Sequence, residues 1–239
     1  MKSPLLDRLG DLRAVLFDMD GTLIDSELLT EAAVASMLRD AGIDDPLLDL
    51  RTFYGITWRS ATETLVTRHP SLAGVCTEQA LHDAFHALWE ADPPPPIPGA
   101  LETLRAVGER AATAIVTSSN GASVETLLER FDLHPCLDTY VSSDQFDRSK
   151  PDPECYLLAA SRLGVAPAEC LVFEDSVAGI AAARSAGMSV IAITFRTPDR
   201  ARAAALADLA IDDYRELPPT FGGRLNTASR RPPARRTPT

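Results

Sequence analysis

Four short stretches of this 239-residue chain carry the side chains best able to do chemistry: Asp18-Met19-Asp20-Gly21-Thr22, Thr117-Ser118-Ser119, Lys150-Pro151-Asp152-Pro153 and Glu174-Asp175-Ser176. The first and last supply the carboxylates of Asp18, Asp20, Glu174 and Asp175. Gathered in one place these would repel one another strongly, and burying them unpaired is costly. A bound divalent cation removes that difficulty, and an all-oxygen donor set suits magnesium. Lys150 and the hydroxyl and backbone N–H groups at 117–119, helped by a helix beginning near Gly121, offer the donors that a phosphate group requires.

The elements around these stretches must bring them together. Residues 14–19 form a short apolar run that ends in an acid and a tight turn, which reads as a buried strand. Helical spacing predicts a helix from Ser26 to about Arg39, with Asp25 or Ser26 as its N-cap, and further helices near 59–68 and 77–90. No strand pattern of similar quality occurs between 26 and 92. Four prolines at 93–96, followed by Ile97-Pro98-Gly99, cannot be helical and form an extended segment. Beyond it the pattern alternates: helices at 99–108, 121–131, 153–163, 177–186 and 199–207, and strands at 113–117, 138–142, 170–174, 188–193 and 209–211. Alternation of helices with fully apolar strands predicts an α/β fold, a Rossmann-like doubly wound parallel sheet. In such a sheet ligands bind beyond the carboxyl ends of the strands, where all four stretches fall.

Composition narrows the partners. The formal net charge is −11, yet the last twenty residues hold five arginines and no acid, so the rest of the chain stands at about −16. A body so acidic repels a nucleic-acid backbone and has no basic stripe to offset this. The longest apolar runs are far short of a membrane span, and the N-terminus carries no signal-peptide stretch. Cys76, Cys136, Cys155 and Cys170 are scattered, without C-x-x-C pairing, and suit free thiols in a reducing cytoplasm. The proline- and arginine-rich residues 217–239 read as a disordered basic tail.

Together the four stretches resemble the motifs of the haloacid dehalogenase superfamily. The helical block at 26–97 resembles the cap domain of its sugar-phosphatase, phosphoglycolate-phosphatase and β-phosphoglucomutase branch, inserted in a core domain of residues 12–25 and 98–216. The resemblance implies a magnesium-dependent phosphatase that acts on a small phosphorylated metabolite, as a monomer or weak dimer. Asp18 would be the nucleophile and become transiently phosphorylated, and Asp20 would be the acid and base. Thr117, Ser118 and Ser119 would hold the phosphoryl oxygens, with Lys150 neutralising charge. Asp18, Glu174, Asp175 and the main-chain carbonyl of Asp20 would hold the metal.

Departures from the pattern separate hydrolysis from mutase chemistry. Where the mutases usually carry a histidine in the first cap helix this chain has Thr30. Asn120 replaces a lysine often seen after the second motif. The loop Tyr54-Gly55-Ile56-Thr57-Trp58-Arg59 is one residue longer than the mutase substrate loop between glycine and arginine. Hydrolysis is therefore expected, with a β-phosphoglucomutase-like mutase as the alternative and a non-catalytic phosphate-binding protein as a further reading. Arg59 is expected to read an anionic or polyhydroxylated leaving group. His82 and His86 stand one helical turn apart but have no convincing third metal ligand nearby, and read as the surface of a cap helix.

Overall fold

The computed structural model describes residues 4–54, 58–197 and 199–225. Six apolar segments pair as parallel strands: Ala14–Phe17 (β1), Ala112–Val116 (β2), Thr139–Val141 (β3), Cys170–Glu174 (β4), Ser189–Ile193 (β5) and Leu209–Ile211 (β6). Their order in the sheet is β3-β2-β1-β4-β5-β6, the doubly wound arrangement in which the winding reverses beside β1. The helices are Pro4–Asp7 (α1), Glu27–Asp40 (α2), Trp58–Arg68 (α3), Glu78–Ala91 (α4), Ala100–Gly108 (α5), Gly121–Phe131 (α6), Glu154–Leu163 (α7), Val177–Ser185 (α8) and Arg200–Leu206 (α9); α5 to α9 cover the two faces of the sheet, and α2, α3 and α4 form a helical block of their own.

The strands are apolar on both faces because each face carries its own core. Val15, Phe17, Ile115, Leu171, Phe173, Ile191 and Ile193 point to one side, where α5 and α6 supply Leu104, Leu127 and their neighbours. Ala14, Leu16, Ala114, Val172 and Val190 point to the other and meet Cys155, Tyr156, Ile180 and Ala203 of α7, α8 and α9. This is the two-residue period of a strand read twice. A third, smaller cluster of Val34, Leu38, Phe53, Leu65, Leu72 and Leu81 holds α2, α3 and α4 to one another.

The two ends of that helical block leave the sheet together. Ile24 bridges to Pro96 in antiparallel fashion, the Asp25 N–H donates to the Pro95 carbonyl at 2.9 Å, and the Ile97 N–H donates to the Leu23 carbonyl at 2.9 Å. Prolines lack N–H groups, so the ladder uses the carbonyl of one proline and the amide of the first non-proline residue after them.

Two expectations are corrected. The packed chain extends beyond residues 12–216: Leu5, Leu6 and Leu9 before it, and Leu217, Phe221 and Leu225 after it, are buried in the first core. Residues 217–225 therefore do not belong to a disordered tail, because apolar anchors recur there behind the prolines. Residues 226–239 lie outside the described residues. Second, neither Asp25 nor Ser26 caps α2 through its side chain. The Asp25 carboxylate instead accepts from Arg196 Nε at 2.7 Å. The four cysteines are free, as their scatter suggests, and burial pushes the Cys170 thiol up to about 12. No helix among the described residues is long and apolar enough to cross a membrane.

Candidate active site

Strand register delivers the first residues of the site. Phe17 is level with Phe173 of β4 and Ile115 of β2, so Asp18, Glu174 and Thr117 emerge next to one another at the carboxyl edge. The Asp18 amide continues the ladder to the Phe173 carbonyl at 3.0 Å, which fixes the backbone beneath its carboxylate. After Asp20 the chain must turn at once, and Gly21 does so with φ +74°. A side chain at Gly21 would strike the Asp175 carboxylate. Gly179, in the first turn of α8, makes room for Glu174 in the same way.

Lys150 is the hub of the charges. Its ammonium donates at 2.6 Å to Asp18 Oδ1, at 2.6 Å to Glu174 Oε1 and at 3.3 Å to the Val116 carbonyl. Glu174 Oε1 also accepts from the Tyr156 hydroxyl, and Oε2 accepts from the Ser176 N–H and hydroxyl. Both oxygens of Glu174 are thus engaged, and it stands behind Lys150 rather than lining the cleft. Because a Cβ at 179 would overlap that carboxylate, Gly179→Ala should destabilise the protein by about 1–3 kcal/mol, as overpacking does. Thermal unfolding followed by circular dichroism tests this, and an unchanged midpoint would show that Glu174 has room to move.

Asp20 faces Asp18 across the turn. Its Oδ2 accepts from the Ser119 hydroxyl at 2.7 Å and from the Thr117 hydroxyl at 3.4 Å, while its Oδ1 is buried. Burial raises its pKa above the ordinary aspartate value, against the bonds from Ser119 and Ser26. Burial likewise lifts Asp18 to about 7, with Lys150 pulling it down and Glu174 pushing it up. Asp175 is raised well above its usual value by burial and by the charges of Glu174 and Asp18. Asp18, Glu174 and Asp175 each bring an oxygen within 4.8 Å of the others. Three crowded, desolvated carboxylates of this kind fit a hard divalent cation that takes oxygen ligands.

Above these residues opens a cleft of about 500 Å³. Asp18, Asp20, Thr117, Ser118, Ser119, Lys150 and Asp175 line it from the sheet side. Asn120 also lines the cleft; its side chain caps α6 by accepting from the Ser123 N–H at 2.9 Å, and the Gly121 N–H donates to Asp144 Oδ1 at 3.1 Å.

The helical block closes the other side, and here the sequence-based expectations need correction. Arg59 is 75% exposed and lies 3.7 Å from Glu78, outside the cleft. Residues 55–57 of the expected substrate loop lie outside the described residues. His82 and His86, read from the sequence as cap surface, line the cleft with Trp58, Phe85 and Thr30. Their Nε2 atoms are 3.1 Å apart, and burial with the neighbouring His82 holds the His86 pKa below the ordinary imidazole value. The missed signal was the stripe Leu81, Phe85, Trp89: Leu81 enters the cluster of the helical block and Trp89 the main core, so α4 must lie across the strand ends.

The model of the haloacid dehalogenase-like hydrolases matches residues 12–187, most of the chain and all four motif stretches. The chain belongs to this family. Among curated relatives, validoxylamine A 7′-phosphate phosphatase from Streptomyces hygroscopicus subsp. limoneus is 36% identical over 213 residues, covering 86% of this chain and 95% of that protein. Fructose-1-phosphate phosphatase YqaB from Escherichia coli K12 is 32% identical over 178 residues, covering 74% of this chain and 94% of that protein. Among solved structures, a haloacid dehalogenase family hydrolase from Deinococcus radiodurans R1 with bound phosphate and sodium superimposes with a TM-score of 0.73 at 28% identity, covering 92% of this chain and all of that one. The resemblance carried by the four motifs therefore holds for sequence and fold alike.

Proposed function

We propose that this hydrolase releases phosphate from a small phosphomonoester, a sugar phosphate or related metabolite, by a magnesium-dependent route with a phospho-aspartyl intermediate on Asp18. Its class is that of the phosphoric monoester hydrolases, as the names of its well-covered relatives support. The observation that carries the reading is the convergence of Asp18, Asp20, Thr117 and Lys150 on one cleft from residues far apart in the chain. The bound phosphate and sodium in the related Deinococcus structure support an anion and a cation in this type of fold.

In the first step an Asp18 carboxylate oxygen attacks phosphorus as the bond from phosphorus to the ester oxygen breaks. Asp20, whose raised pKa keeps a proton on it closer to neutrality, gives that proton to the departing alkoxide. In the second step Asp20 takes a proton from water as the water oxygen attacks phosphorus, and the Asp18–phosphorus bond breaks to free phosphate. The Thr117 hydroxyl, the Ser118 amide and the Lys150 ammonium stabilise the phosphoryl oxygens throughout, and the Ser119 N–H, which donates to Thr117 Oγ1 at 2.9 Å, would have to exchange that bond to join them. Magnesium, which Asp18, Glu174, Asp175 and the Asp20 main-chain carbonyl would hold, would neutralise charge on the phosphoryl group.

Hydrolysis is favoured over mutase chemistry because Thr30, where the mutases have histidine, lines the cleft with a hydroxyl. Release of inorganic phosphate from a panel of sugar phosphates, with and without magnesium, tests the reading. Chelation should lower turnover by at least about 100-fold, and added magnesium should restore it. Undiminished turnover in chelator would remove the metal from the mechanism. Glucose 6-phosphate, rather than free phosphate, from β-glucose 1-phosphate and a bisphosphate primer would replace hydrolysis by the mutase alternative.

A further inference from the structure

The wall of the cleft that faces the phosphate site is made by the helical block, and its chemistry differs sharply from that of the sheet side. Trp58 at the start of α3 and Phe85 on α4 meet with ring centroids 5.5 Å apart. His86 packs edge-on against Phe85, and His82 sits 4.2 Å from His86 between centroids. The result is an aromatic surface carrying two imidazoles within hydrogen-bond distance of each other.

The same wall is short of fixed positive charge. Among the described residues lining the cleft, Lys150 is the only lysine or arginine, and it is held by Asp18 and Glu174. Arg59, the nearest cation on α3, turns to Glu78. Glu27 adds a carboxylate at the rim. A second phosphate or a carboxylate on the leaving group would find no free lysine or arginine among the described residues of this cleft, and desolvating it there is costly. A neutral polyol can lay its C–H face on Trp58 and Phe85 while its hydroxyls exchange hydrogen bonds with the imidazoles, which both donate and accept.

We propose that His82 and His86, backed by Trp58 and Phe85, are the specificity-determining residues of the leaving-group pocket. They select monophosphates of neutral polyhydroxylated compounds over substrates with a second anionic group. The proposal rests on the phosphatase reading above and goes beyond it by naming the residues that choose the substrate and the charge they exclude.

The test compares kcat/KM for fructose 1-phosphate, fructose 1,6-bisphosphate, phosphoglycolate and p-nitrophenyl phosphate, whose leaving group has no hydroxyls. The wild type should prefer fructose 1-phosphate to the bisphosphate and to phosphoglycolate by at least about 10-fold. The double variant His82→Ala/His86→Ala should lose about 10- to 100-fold on fructose 1-phosphate, chiefly through KM, and lose less on p-nitrophenyl phosphate, so that the ratio between the two esters falls. The single variant His86→Arg should shift the ratio toward the bisphosphate by at least about 10-fold. Equal or better turnover of the bisphosphate or phosphoglycolate by the wild type, an unaffected double variant, equal losses on both monoesters, or an unmoved ratio in His86→Arg would each overturn the proposal. Absence of turnover with every ester, p-nitrophenyl phosphate included, would overturn the phosphatase reading itself and this proposal with it.

Discussion

Asp18→Asn abolishes turnover, by a factor on the order of 10⁴ or more in kcat, while the protein stays folded. The amide has the shape of the carboxylate but no anionic oxygen to attack phosphorus, so the covalent route closes. The fold should not suffer, because Asp18 is a burdened group in the metal-free protein. Burial and the charge of Glu174 raise its pKa from 3.8 to about 7. A carboxyl raised in this way binds its proton more tightly in the folded than in the unfolded chain. Its contribution to stability is thus fully present below about pH 4 and is lost as pH rises toward 7. Chelator-treated wild type should accordingly lose stability across that window, and Asp18→Asn should show a flatter profile in urea unfolding. Phosphate release by Asp18→Asn within about 10-fold of wild type would sink the covalent mechanism, whatever its stability.

Lys150→Met carries the second large effect, and it strikes fold and chemistry together. The Lys150 side chain is 7% exposed and its ammonium neutralises Asp18 and Glu174 at once. Removing one partner from a buried ion cluster leaves uncompensated charge, which costs about 3–5 kcal/mol. For a chain of this length that corresponds to a melting temperature lower by roughly 10 °C. Catalysis should fall by a further factor of about 10²–10³, because a fixed donor to the developing charge is lost. Magnesium should return part of the stability but not the rate, as a cation among the carboxylates replaces the charge of Lys150 without its position. A variant that melts and turns over like wild type would show that the lysine is a bystander.

Much of this site was legible because it sits on the most strongly patterned part of the chain. Fully apolar strands leave little doubt about where they end, and in a parallel sheet those ends share one edge. Asp18, Thr117, Glu174 and Asp175 could therefore be gathered from spacing alone. Lys150 is on a loop beyond the strand ends, where a lone lysine facing several carboxylates marks it as the phosphate donor. The helical block was harder. A helical period tells which residues share a face but not what that face meets. His82 and His86 flank the Leu81, Phe85, Trp89 stripe, and only the anchoring of Trp89 in the main core turns them toward the strand ends. Arg59 is as hard to place from spacing, since one turn at the start of α3 decides between the cleft and Glu78, beside which it stands. Asp25 looked like a local cap, yet its partner Arg196 is 171 residues away, a pairing no local signal announces. Phe221 and Leu225 follow a pair of prolines, and their spacing is too sparse to predict burial.

The bridge between Ile24 and Pro96 has one more consequence. It pins the entry and exit of the helical block side by side, so the sheet experiences the whole insertion as a closed loop on a fixed stem. The entropy of closing a loop grows only logarithmically with its length, about 0.6 kcal/mol for each doubling. Changing the length of the block is thus nearly neutral for the rest of the fold, provided that Trp89 keeps its place in the main core. A lineage built on this stem can change what it dephosphorylates by swapping one module, while the strand-end acids are inherited untouched.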